Sequence, residues 1–389
     1  MPKKQEKRGE IDKEAVISLT KKFVKINTSN PPGNEWRLAE LIAGLLRQIG
    51  FKVELVEFAS GRPNVVASLG SGKKTLILSG HMDTVPVGSG WKYDPFSGTV
   101  KDGKIFGRGA TDMKGALVSM IEAVASLRRE GWKPNGCLKL IFTVNEEMGD
   151  NEEIGMRALL KKMKGNKDSL VIIGDTTNFD IVVTEKGILW LELVSYGKEA
   201  HASMPWTGVN ALENLIKVLY HIQNLKIEGN NKLLGKSTVA VTMLNAGIKT
   251  NVIPEVARAH LDIRLIPEEK REAVIDMIRE IINRLSEEDR NINVKVNELL
   301  YYPPVEPKFE GDVAQKLKEI IEGTLKRKVS IVGEHGATGA GYFIKAGFPT
   351  IVFGPGKPEN CHIKDEYVEI SDLLNAAKIY REFILSYLS

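Results

Sequence analysis

Residues 140–150 read LIFTVNEEMGD, an apolar run that stops at two adjacent glutamates, Glu146 and Glu147. Neighbours on an extended chain point to opposite faces, so two adjacent acids can take different partners and different roles. A second polar strand end, TLILSGHMD, sets His81 and Asp83 two apart and therefore on one side. Asp83 can then accept a hydrogen bond from the imidazole N–H that does not bind metal, which orients a ligating histidine and raises its basicity. Asp112 follows Gly107 and Gly109 in GRGATDMKG, just before a long apolar run; Asp175 ends LVIIGD; His362 lies in GPGKPENCHIKDEY. Taken singly, these residues have ordinary explanations: a solvated turn, a satisfied polar strand end, a helix N-cap. Taken together, the two histidines and the carboxylates form a donor set suited to zinc or cobalt. A dinuclear site, with ions about 3.5–4 Å apart, needs a bridging carboxylate and can ionise a shared water at neutral pH. Asp112, held at a helix start, is free to bridge. The acid pair then divides: Glu147 can ligate a metal while Glu146 stays unbound and takes the proton of the water, passing it to a leaving amine.

The elements that must position these residues alternate. NVVASL, KTLILSG, CLKLIFTV and LVIIGD are strand candidates, and MKGALVSMIEAVASLRRE carries helical periodicity. That order predicts an α/β domain around a mostly parallel sheet, whose ligands gather at the carboxyl ends of strands. Between about 185 and 298 the order becomes strand, helix, strand, strand, helix, strand, the split βαβ (ferredoxin-like) arrangement of a separate small domain. After the proline-rich YYPPVEP, helix and strand alternation returns and the chain closes on a helix from about Ser371. The expected architecture is a discontinuous α/β catalytic domain, residues 1–184 and 299–389, with a lid and dimerisation domain inserted at 185–298. GSGKKT at 70–75 imitates a phosphate loop, but Ala67 stands where the leading glycine belongs and Lys74 where Ser or Thr would bind magnesium. It is expected to be a turn between strands.

Composition excludes several classes. The 389 residues are 42% hydrophobic and 27% charged, as in a globular protein large enough for two domains. The formal charge of +4 arises from 54 basic and 50 acidic residues that are intermixed, so no nucleic-acid groove is indicated. Cys137 and Cys361 are the only cysteines, which argues against a disulfide framework and for a reduced compartment. MPKKQEKRGE lacks an apolar signal core and no stretch is long enough to span a bilayer, so the expectation is a cytoplasmic protein with no membrane partner.

The chain resembles the metallohydrolase family of acetylornithine deacetylase, succinyl-diaminopimelate desuccinylase, aminoacylase, glutamate carboxypeptidase and several di- and tripeptidases. SGHMDTVP, WKYDPFSGTVKDGKIFGRGATDMKGA, NEEMGD, EAHASMPWTGVNA, TNVIPE and LDIRLIP match its motifs in order along nearly the whole length. The resemblance implies two divalent metal ions, zinc or cobalt, with His81, Asp112 and Asp175 on one and Asp112, Glu147 and His362 on the other. It implies Glu146 as the general base, Asp83 as the partner of His81, and a cis peptide at Asp112–Met113. It further implies a homodimer in which His201 and Asn251 reach the partner's site to stabilise the tetrahedral oxyanion, and Arg264 as the holder of a substrate carboxylate. Without the family, His201 reads as a structural histidine and Arg264 as a surface arginine in a salt bridge.

The implied activity is hydrolysis of an amide bond next to an amino-acid carboxylate, in an N-acyl amino acid or a short peptide. An N-acyl-amino-acid deacylase ranks slightly ahead of a carboxypeptidase or dipeptidase. Two departures separate the chain from any one named deacylase. Asp175 in DTT is the shorter acid familiar in the peptidase branches, and Gly339 and Gly341 in GATGAGYF remove side chains from a loop that commonly recognises substrate. A metal-dependent phosphoesterase fits less well, because an unbound Glu146 and a carboxylate-binding Arg264 suit amide hydrolysis. A non-catalytic binding protein on the same fold would be expected to have lost a ligand or the base, and none is missing.

Overall fold

The computed structural model describes residues 9–149, 153–306 and 312–389, which divide into two compact units. The first comprises the chain up to Val183 together with Pro307–Val332 and Thr338–Ser389. Its eight-stranded sheet has the order Lys52–Glu57, Pro63–Gly70, Cys137–Thr143, Thr75–His81, Ser169–Ile173, Thr350–Val352, Ile181–Glu185, Ile331–Glu334. The four central strands, from Cys137–Thr143 to Thr350–Val352, run parallel. Their interior residues are buried Val, Ile, Leu and Phe, as expected of strands covered on both faces.

The parallel register places the chemistry. Thr75 pairs with Cys137 and with Ser169, so His81 is level with Thr143, and Ser79 is level with Ile173. His81, Asp175 and the Glu146–Glu147 pair therefore emerge together at the carboxyl edge. GSGKKT is, as expected, the connection between Pro63–Gly70 and Thr75–His81. The helix Gly115–Arg129 is buried on nearly all sides and packs against the closing helix Ile370–Leu388. Gly115 admits no larger residue, because a Cβ there would meet the carbonyl oxygen of Ala110 at 2.5 Å. Two helices that periodicity had not singled out, Lys13–Lys25 and Trp36–Gln48, also bury apolar faces in this core.

The second unit comprises Thr184–Glu306 and Gly333–Ala337. It extends beyond residue 298 because the last strand, Asn293–Tyr302, continues its pairing with Gly187–Tyr196 as far as Tyr302. The four antiparallel strands lie in the order Thr238–Ala246, Val256–Leu265, Gly187–Tyr196, Asn293–Tyr302. Alternate residues of the middle strands are buried with the apolar faces of helices Ala211–Ile222 and Arg271–Glu288, giving this unit its own core. This is the split βαβ arrangement. Among the described residues, no helix is long and apolar enough to cross a membrane.

Candidate metal centre

His81 ends its strand almost wholly covered. Its Nδ1 lies 2.9 Å from the backbone carbonyl oxygen of Asp83, and its Nε2 lies 3.1 Å from Asp112 Oδ1. A carbonyl only accepts, so Nδ1 carries a proton and Nε2 is the nitrogen aimed at the centre. The sequence reading had the Asp83 carboxylate in this role, but it stands 3.8 Å from Nδ1. Its oxygens instead accept the backbone N–H groups of Glu146 and Glu147, each at 3.1 Å, and the Asn30 amide at 2.9 Å. Asp83 thus acts on the acid pair, holding the turn that carries it, while its backbone holds His81.

Asp112 does not cap the helix that follows it. The chain turns irregularly over Ala110–Lys114, the Asp112–Met113 peptide is cis, and the carboxylate points between the histidines. Oδ1 faces His81 and Oδ2 faces His362 Nε2 at 3.0 Å; that same nitrogen is 3.3 Å from Glu147 Oε2. The ligand atoms of His81, Asp112 and Asp175 lie within 4.8 Å of one another, and so do those of Asp112, Glu147 and His362. Asp112 is common to both groups and offers a different oxygen to each histidine. Glu147 Oε1 is buried and has no hydrogen-bond partner, the condition of an acceptor awaiting a cation. Glu146 belongs to neither group, and its carboxylate lies 3.9 Å from His81 Nε2.

The electrostatics agree with a cation site. Burial pushes Asp175 up to about 7, with Asp112 adding to the effect. Burial likewise raises Glu146, helped by Glu147, Asp175 and Asp83, and raises Glu147, helped by Asp112. Asp112 is the exception: burial opposes its charge, but hydrogen bonds from His362 and His81 hold it well below the usual carboxylate range. Hydrogen bonds to Asp112 and Glu147 push His362 up to about 10, and His81 is raised by Asp112 and Glu146 against the cost of burial. Crowded acids repel, and divalent cations relieve that repulsion.

Several supporting residues escaped the sequence reading. Asn145, at positive φ of 66°, accepts from Asn30 and from Arg62, which is held by Glu35 through two hydrogen bonds. Asn30, Glu35, Arg62 and Asn145 are all buried. Glu366 and Arg108 form a second buried pair beside Asp112. Only proximity in sequence hinted at them: Asn145 precedes the acids and Glu366 follows His362 by four residues.

His201, Asn251 and Arg264 lie in the second unit. Ala200–His201 pairs with Val252–Ile253, and the Ala202 N–H donates to the Asn251 carbonyl, so His201 and Asn251 are neighbours on one exposed ribbon. The Ser203 N–H donates to His201 Nδ1, leaving the proton on Nε2. The Arg264 guanidinium makes a two-point contact with Asp262, at 2.7 and 3.0 Å, and Asp262 also accepts from the Trp190 indole.

The profile of Peptidase family M20/M25/M40 matches residues 77–386. A probable succinyl-diaminopimelate desuccinylase of Staphylococcus aureus is 28% identical over 404 aligned positions, covering 96% of this chain and 97% of that protein. Among solved structures, an M20 family metallo-carboxypeptidase from Sulfolobus solfataricus superimposes with a TM-score of 0.80 at 24% identity, over 96% of this chain and 99% of that one. Aminopeptidase PepT from Bacillus cereus gives 0.79 at 23% identity, over 97% and 99%. At these identities the two structures speak to the fold.

Proposed function

The chain belongs to Peptidase family M20/M25/M40, and from that premise we propose that it is a dinuclear metal hydrolase that removes the acyl group from an N-acyl amino acid. The observation that carries this reading is the division of Asp112 between two ligand groups, with Glu146 beside them and in neither. His81, Asp112 and Asp175 would hold one ion and Asp112, Glu147 and His362 the other. The donor set of two imidazoles and three carboxylates suits zinc, with cobalt as its substitute. Such ions lower the pKa of a water and polarise a carbonyl.

The chain's own residues supply the rest. Glu146, its backbone N–H anchored by Asp83, takes the proton of the attacking water and delivers it to the amide nitrogen as the C–N bond breaks, releasing a carboxylic acid and the free amino acid. His201, with its proton on Nε2, is suited to donate to the tetrahedral oxyanion, and Asn251 beside it to assist. Arg264 would receive the substrate carboxylate, with Asp262 holding the guanidinium until it arrives. We place His201 and Asn251 in the site of a second copy, forming a homodimer. The edge strand Thr238–Ala246 supports this, since it exposes Val241, Met243 and Leu244 where a monomer would be expected to protect itself.

The relative named a desuccinylase favours the deacylase. Asp175, the shorter acid, favours a carboxypeptidase or dipeptidase as the second reading. The deciding experiment is amino-acid release by the zinc-loaded protein from acetyl, succinyl and formyl amino acids and unblocked dipeptides. Release is expected to fall at least about a hundredfold in Glu146→Ala. Acyl amino acids turning over faster than dipeptides supports the deacylase and the reverse supports the peptidase. No release with both ions bound overturns the proposal.

A further inference from the structure

The segments Trp91–Asp112 and His362–Glu369, some 250 residues apart in sequence, are joined by a series of bonds. Tyr367–Glu369 pairs antiparallel with Lys104–Phe106, with Tyr367 opposite Phe106, which brings Glu366 opposite Gly107. The Glu366 carbonyl accepts the Gly107 N–H at 2.8 Å. Asp365 Oδ1 accepts the N–H groups of Lys92 and Tyr93 at 2.9 and 3.1 Å, and Thr111 Oγ1 donates to the Tyr367 carbonyl. Between these bonds the Glu366 side chain is wholly buried. Oε1 accepts the backbone N–H of Thr111 at 2.9 Å and of Asp112 at 3.2 Å, and Oε2 accepts from Arg108 at 2.6 Å. The Arg108 guanidinium lies over the Trp91 ring, 5.1 Å from its centroid.

A buried carboxylate costs stability unless each oxygen is paired, and here every pairing is to the turn that carries Asp112. Glu366 also lies on the same loop as His362, four residues on. We propose that Glu366, backed by Arg108, is the positioning residue of the metal centre: it fixes the peptide of the shared carboxylate relative to His362 and so sets the span between the two ion positions. This rests on the dinuclear reading above. Glutamine at 366 keeps the shape but turns an N–H₂ toward either the Thr111 and Asp112 N–H groups or Arg108, so one side of the clamp opens.

The test measures zinc directly on the full chain, wild type against Glu366→Gln, by competition with a chelating indicator, metal analysis after dialysis and thermal melting. Zinc affinity is expected to fall about 10–100-fold, with kcat reduced, KM unchanged, and kcat recovered when zinc is raised above the weakened Kd. A merely structural residue would lower the melting temperature and leave affinity and stoichiometry intact, and that result overturns the proposal. If Glu366→Gln does not fold, Arg108→Lys decides: it keeps a cation but lacks the fork, and zinc affinity is expected to fall about tenfold. Unchanged affinity there also overturns it. Failure of the wild type to bind two zinc ions would instead defeat the dinuclear reading.

Discussion

A main-chain carbonyl decides which nitrogen of His81 faces the centre, and this has a consequence for pH. Without metal, hydrogen bonds to Asp112 and Glu147 raise His362 to about 10, so it is protonated at neutral pH, and Asp112 and Glu146 raise His81 against the cost of burial. An ion requires the lone pair that the His362 proton occupies, so binding must release protons and affinity must rise with pH until His362 is neutral. Zinc titrations in buffers of different ionisation heat are expected to show proton release at about pH 7, with affinity increasing toward about pH 9. A flat profile would contradict a protonated His362. The sequence was legible at this scale where chemistry depends on residue type: His81, Asp112, Glu146, Glu147, Asp175 and His362 are all brought together. It was misread at Asp83, because spacing tells which side a residue faces and not whether its carboxylate or its carbonyl reaches the ring.

The turn from strand Cys137–Thr143 into the acid pair depends on Asn145, which is left-handed and joins Arg62 to Asn30. Asparagine tolerates this conformation better than most residues, and glycine better still. Asn145→Ala combines backbone strain with the loss of a shared acceptor and is expected to cost about 2–4 kcal/mol of stability. Asn145→Gly relieves the strain and is expected to cost about 1–2 kcal/mol, so denaturant melts of the two separate the contributions. Equal losses would assign the whole effect to the hydrogen bonds. Strand order and the inserted split βαβ unit could be read in advance because alternation and periodicity are local signals. The Glu35–Arg62–Asn145–Asn30–Asp83 network could not, since its members come from four separate segments and no spacing relates those segments.

For the whole molecule, the proposed dimer makes a prediction that neither unit makes alone. If His201 serves the partner's site, Glu146→Ala and His201→Ala are each inactive, yet a mixed dimer has one site with both defects and one with neither. Random exchange in an equal mixture is expected to restore about a quarter of wild-type activity, read as amino-acid release after co-refolding. No recovery, with mixed dimers demonstrated, would place His201 in its own subunit's site. The exposed edge strand was beyond the sequence reading, because Thr238–Ala246 carries the composition of a covered strand and only the sheet order shows it at a margin.

His81 is 4% exposed and His362 52% exposed, so the two halves of the centre do not share the same access to solvent. An ion held by the covered half would be expected to stay longer, and one held by the open half to trade with its surroundings. Under metal scarcity such a catalyst would keep its fold and its inner ion while idling for want of the outer one. The supply of that second ion would then act as a throttle on turnover.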